Sequence, residues 1–123
     1  MSASKLFAAL WSTPTNVPAN TLESAPVVSP AIDVSTVYGG ELTYRIINSG
    51  ALGNPCILMF QLSQNGTDWY DYQPVASKDN LSGTLTPGTI SLVRPAMYVR
   101  AIAYGNTTSA CTVQAGVMLL TGL

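Results

Sequence analysis

The sequence contains no histidine. That absence removes Ser-His-Asp and Cys-His nucleophile pairs and most zinc sites, because imidazole supplies the base or the ligand in each. Charge is nearly as scarce. Asp, Glu, Lys and Arg make up 9% of the 123 residues, for a net charge of -1, whereas an average soluble domain carries roughly 25%. The five cations, Lys5, Arg45, Lys78, Arg94 and Arg100, are scattered. A surface that tracks phosphate needs them clustered, so nucleic acid is not an expected partner. No apolar run approaches the ~18 residues of a membrane span, so no membrane is expected either. The opening "MSASKLFAALWSTP" holds one Lys and a six-residue apolar run. That is shorter than a signal-peptide core of about 7–15 residues, and the expectation is a protein assembled in a cytoplasm. The sequons at Asn65, Asn80 and Asn106 then read as turn composition rather than glycosylation sites.

What is present is apolar. Hydrophobic residues make up 47%, ample for one core, and mean hydropathy is +0.28. With so few charges to keep copies apart, either the abundant Ser, Thr, Asn and Gln keep the surface wet, or, as mean hydropathy favours, it is covered by copies of the same chain or by a partner. Disorder is not expected from high apolar content and small net charge.

Four prolines, Pro14, Pro18, Pro26 and Pro30, punctuate the first thirty residues. Each removes an N–H donor, so this stretch is neither a helix nor a central strand. It reads as an extended arm or edge segment over 1–30 with an apolar head, Leu6, Phe7, Leu10 and Trp11. From residue 31 to 123 the pattern is that of strands. Ala31–Val37 and Glu41–Asn48 alternate around a break at Tyr38-Gly39-Gly40. Cys56–Ser63 and Thr67–Val75 flank Asn65-Gly66. Thr89–Val93 is a short strand closed by Arg94-Pro95. Met97–Tyr104 and Cys111–Leu119 form a second hairpin, with Cys111, Val113, Ala115, Val117 and Leu119 on one face. Short strands with turn signals at intervals of about 8–14 residues predict an all-β fold. The expectation is a single antiparallel β-sandwich of seven to eight strands, jelly-roll or immunoglobulin-like.

The stretch "SQNGTDWYDY" (Ser63–Tyr72) holds the only cluster that resembles a site. Asp68 and Asp71 are the one close pair of acids in it. Three apart on a strand, they point to opposite faces and cannot flank one bond. No enzyme is expected, and no acid spacing matches a calcium loop. No cofactor is expected. Two hairpin registers are open. A two-residue turn pairs Leu62 with Trp69 and Phe60 with Asp71. A three-residue loop with Gly66 as the bulge pairs Phe60 with Tyr70 and Leu58 with Tyr72, and cross-strand packing favours it. In that register Tyr70 and Tyr72 are core, and Trp69 sits on the opposite face with Asp71, Ile57 and Met59, whose apolar members form a candidate contact surface. Cys56, Trp69 and Cys111 imitate immunoglobulin spacing, but Ser109 stands where the tyrosine corner would be. Two free buried thiols are expected rather than a disulfide.

The segment Ser63–Trp69 is similar to the Asp-box of sialidase propellers, a structural hairpin, though it is one residue shorter and does not repeat. Taken with the strands Tyr98–Arg100 and Cys111–Leu119, it also resembles small β-sandwich proteins of tailed bacteriophage virions. That resemblance implies a non-enzymatic virion structural protein, foremost a capsid decoration or cement protein, otherwise a tail, collar or fibre part. It implies a homo-oligomer that binds a major capsid or other virion protein, located in the virion. The expected contacts are Leu6, Phe7, Leu10, Trp11, Ile57, Met59 and Trp69. A carbohydrate-binding module, with Trp69, Tyr70 and Tyr72 stacking on sugar rings, is the other reading.

Overall fold

The computed structural model describes residues 4–35, 37–92 and 96–121. The side chains of residues 4–6, 37, 38, 120 and 121 lie outside the described set. Leu6, one of the expected contacts, is among them, and the expected stop at Arg94-Pro95 lies outside it as well.

Nine β-segments are described: β1 (Ser4–Val17), β2 (Val27–Val28), β3 (Ile32–Asp33), β4 (Val37–Asn48), β5 (Ile57–Ser63), β6 (Tyr70–Ala76), β7 (Leu85–Leu92), β8 (Tyr98–Tyr104) and β9 (Cys111–Thr121). One sheet runs β1-β9-β4-β7 and the other β2-β8-β5-β6, with β3 also paired to β8. The short β2 and β3 together make one broken edge strand. All pairings are antiparallel. Every connection except β2–β3 and β5–β6 passes from one sheet to the other, and the first strand lies beside the last. This is the folded-over double Greek key of a jelly roll, so of the two expected sandwiches it is the jelly roll that forms.

Alternation with a period of two builds the core. In β9, Cys111, Val113, Ala115, Val117 and Leu119 are all buried, as their spacing predicts. They face Leu58, Phe60 and Leu62 of β5 and Val99, Ala101 and Ala103 of β8 across the sandwich. Burying a side chain such as Phe60 stabilises the fold by about 2–3 kcal/mol. Tyr44 and Phe60 meet with ring centroids 6.4 Å apart and tilted by 56°, a favourable aromatic geometry.

Three local readings change. The segment Tyr38-Gly39-Gly40 is not a break. It lies within β4 as an irregularity, where pairing to β9 shifts between Val37 and Gly40. Gly39 has φ of 138°, and a Cβ on Gly40 would lie 2.2 Å from the Met118 carbonyl oxygen. The two glycines let one long strand bend, rather than separating two. β7 starts at Leu85, four residues ahead of the short strand expected at Thr89–Val93. Finally, β1 runs through Pro14, because a register shift between Trp11 and Thr15 lifts residues 12–14 out of the ladder.

The edges share a chemistry. Pro14 stands in the irregular part of β1, Pro87 in β7 and Pro74 in β6, while Pro30 interrupts β2 and β3. Each removes a donor from an edge that could otherwise template another strand.

Candidate functional site

With the edges blunted, the surfaces open to a partner are the two outer sheet faces. The face of the β2-β8-β5-β6 sheet carries the hairpin cluster. Gln61 pairs with Arg100, Met59 with Ile102 and Ile57 with Tyr104. Ile57 and Met59 are half-buried on this face. Arg100 Cζ sits 4.3 Å from the centroid of the Trp69 ring. Its Nε donates to Gln61 Oε1 at 2.9 Å, and Gln61 Nε2 donates to Asp71 Oδ1 at 2.9 Å. Partial burial holds the Arg100 pKa below its ordinary value. The expected grouping of Ile57, Met59, Trp69 and Asp71 on one side therefore includes a polar line, Asp71–Gln61–Arg100, whose last member sequence spacing does not reveal.

The β5–β6 hairpin follows neither expected register. Leu62 pairs with Tyr70, Gln61 with Asp71 and Phe60 with Gln73, so Tyr72 is the extra residue of a bulge. The cause is the side chain of Asn65. Its Oδ1 accepts from the Thr67 and Asp68 amides at 2.8 Å each, and its Nδ2 donates to Asp68 Oδ2 at 2.9 Å. Ser63 Oγ accepts from the Asn65 and Gly66 amides. These local bonds replace ladder bonds and open residues 64–69 into a loop. Tyr70 is consequently 45% exposed rather than core. Tyr72 packs against the core margin, and its hydroxyl donates to the Ser91 carbonyl at 2.9 Å. Asp68 belongs to the loop and Asp71 to the strand, so the two acids serve separate partners.

The opposite face belongs to the β1-β9-β4-β7 sheet. Phe7 is 54% exposed there, its ring over Gly116, where a Cβ would lie 2.4 Å from Phe7 Cζ. Beside it an open groove of about 280 Å³ is lined by Phe7, Trp11, Ser12, Arg45 and Gln114 among others. Gln114 Nε2 donates to the Ser12 carbonyl at 3.3 Å. Of the expected contacts, Leu10 and Trp11 are not surface residues. They are 1% and 6% exposed within the chain's own core, because β1 pairs with β9 and turns them inward. Phe7 and the Ile57/Met59/Trp69 group thus lie on opposite sides of the sandwich.

One buried polar feature, Asn106, went unread in the sequence, whereas the two free buried thiols are as expected. Asn106 is fully buried, and its Nδ2 donates to the Val17, Pro18 and Ser109 carbonyls at 3.1, 3.2 and 2.9 Å. It ties the end of β1 to the β8–β9 loop. Cys56 and Cys111 are both buried and free. The Cys56 thiol hydrogen-bonds to Cys111 and is desolvated, and both effects push its pKa up. Cys111 Sγ in turn lies 3.8 Å from Asn48 Oδ1. At the surface, Asp79 accepts from the Thr84 hydroxyl and the Leu81 amide, which hold its carboxyl below the ordinary value. Among the described residues, no three His, Cys, Asp or Glu side chains gather as a metal site.

No family model matches the chain, and the curated proteins contain no significant sequence match. Solved structures do match in fold. The Gx strain structure of infectious bursal disease virus superposes with a TM-score of 0.60 at 6% identity, over 98% of this chain and 33% of that one. The chain therefore spans about a third of the viral protein it resembles. The K3 cleaved adhesin domain of Lys-gingipain from Porphyromonas gingivalis superposes with a TM-score of 0.56 at 15% identity, over 89% of this chain and 74% of that one. The SPBc2 prophage-derived protein YomS gives a TM-score of 0.47 at 17% identity, over 96% of each chain. At these identities the likeness is one of fold.

Proposed function

We propose that the chain is a non-enzymatic structural protein of a virus particle, most specifically a decoration or cement protein that binds a phage shell as a homo-oligomer. The observation that carries this reading is a jelly roll with proline-marked edges and two charge-poor outer faces. Such a body associates through faces, and it adds buried area where it bridges neighbouring subunits. Each bound copy stabilises a shell only as far as it prefers the assembled state. The infectious bursal disease virus likeness is consistent in fold with such a role. A tail, collar or fibre position would use the same surfaces.

The test is mass spectrometry of particles banded on a density gradient from cells that express the gene and its neighbouring virion genes. Expected is a fixed stoichiometry of this chain in the particle band. Recovery only in the soluble fraction overturns the reading.

One observation favours a second reading. Tyr70 is exposed and follows Trp69 directly, so the hairpin presents two aromatic residues near the surface. Stacked aromatics are how binding modules hold sugar rings. Glycan titration followed by Trp fluorescence decides the matter. A saturable response abolished by Trp69→Ala would replace assembly with sugar binding.

A further inference from the structure

The outer face of the β1-β9-β4-β7 sheet is organised in rows across its strands. One row reads Phe7, Met118, Glu41, Ser91; the next reads Ala9, Gly116, Thr43, Thr89; a third holds Gln114, Arg45 and Pro87. Leu42 and Ile46 are buried beneath, which confirms that Glu41, Thr43 and Arg45 project outward. Glu41 and Arg45 are exposed, and their side chains make no hydrogen bond or ion pair among the described residues. Four residues apart on an extended strand, they stand roughly 13–14 Å from each other and cannot pair within one chain.

We propose that this face binds a second copy of the chain about a two-fold axis that lies between the sheets, perpendicular to β4, over Thr43. The inference rests on the reading of the chain as an assembling protein and names the surface. That operation reverses β4 and keeps the strand order. It sets Glu41 of each copy over Arg45 of the other, so both charges gain a partner twice over. It also carries Phe7 to the far side of the Thr43 row, where the groove beside Trp11, Ser12 and Gln114 lies. Each Phe7 enters the other copy's groove, as an isologous interface requires. The row at the axis contains the small side chains of Ala9 and Thr43, with the Phe7 ring lying over Gly116 between them. Four strands at ~4.8 Å spacing and ~34 Å length give roughly 650 Å² per copy, or about 1,300 Å² in all, within the range of stable interfaces.

Sedimentation velocity over a concentration series tests the proposal. The wild-type chain is expected to dimerise. Glu41→Arg and Arg45→Glu each place like charges across the axis and should weaken the dimer by about tenfold or more. The double variant Glu41→Arg with Arg45→Glu restores the pairing with signs exchanged and should recover wild-type affinity to within about threefold. Unchanged cooperative thermal unfolding of each single variant shows it to be folded. Phe7→Ala should weaken the dimer while leaving the monomer folded, with no more than the small drop in melting temperature that losing its contact with Gly116 brings. A chain that stays monomeric at about 1 mM overturns the proposal, as does a dimer indifferent to both single reversals. A monomer that still enters particles would refute this surface and leave the assembly reading standing. A charge-sensitive dimer absent from particles would do the opposite.

Discussion

Arg100 covers Trp69, with its guanidinium carbon 4.3 Å from the ring centroid, and Gln61 holds that guanidinium in place from the adjacent strand. The contact joins the long loop at 64–69 to the middle of β8. A cation over an indole at a partly exposed site contributes about 0.5–1 kcal/mol. Arg100→Ala should therefore lower stability by about 1 kcal/mol and shift Trp emission to the red as the ring meets water. Trp11, buried in the core, provides a constant background. Unchanged emission would show that the loop holds Trp69 without Arg100.

Asn106 joins the end of β1 to the β8–β9 loop through three carbonyls. Asn106→Ala leaves three carbonyls without their donor and should cost about 2–4 kcal/mol in urea unfolding. Asn106→Asp should cost more, because it sets a carboxylate against those carbonyls. A loss below about 0.5 kcal/mol for the Ala variant would mean that water replaces the amide.

The two thiols should resist alkylation in the folded chain at pH 8. Cys56 and Cys111 are both buried, and the hydrogen bond from the Cys56 thiol to Cys111 raises the Cys56 pKa and lowers that of Cys111, so burial is what shields Cys111. Only thiolate reacts, so labelling should follow global unfolding and accelerate with denaturant. Rapid labelling of either residue in the native state would contradict the packing described.

Asp79 sets a pH dependence of known sign. Its folded-state pKa lies below the ordinary 3.8, chiefly through the Thr84 hydroxyl and then the Leu81 amide. A depressed carboxylate adds stability that is complete above the unfolded pKa and is lost as pH falls through the folded value. The melting-temperature difference between wild type and Asp79→Asn should be steady above about pH 5 and vanish in stronger acid. A difference that grows on acidification would reverse the assignment.

Removing residues 1–17 takes Leu10, Trp11 and Val17 out of the core and strips β9 of a neighbour along its length. The truncated chain should lose cooperative thermal unfolding, as measured by circular dichroism. A well-folded truncate would return this segment to the role of a detachable arm.

The sequence exposes those parts of the fold where one rule acts alone. In β9 strict alternation met no competing interaction, and all five inward residues are buried as read. The β5–β6 hairpin is different. Asn-Gly is a sound turn signal, but the Asn65 side chain has its own claim on the backbone amides. Which of the two wins depends on Ser63 and Asp68 being in reach. Leu10 and Trp11 illustrate another limit. Prolines excluded a central strand, and an edge strand that turns its apolar residues inward has the same local pattern as an arm that offers them to a neighbour. The line Asp71–Gln61–Arg100 joins positions up to 39 apart in sequence, and no local spacing announces such a contact.

The prolines at the sheet margins also set how the molecule behaves when crowded. A sandwich with open margins recruits further strands without limit and hardens into cross-β fibres as its concentration rises. Here lateral growth meets a missing amide at each side. Strand-by-strand growth is therefore disfavoured at these margins however crowded the chain becomes.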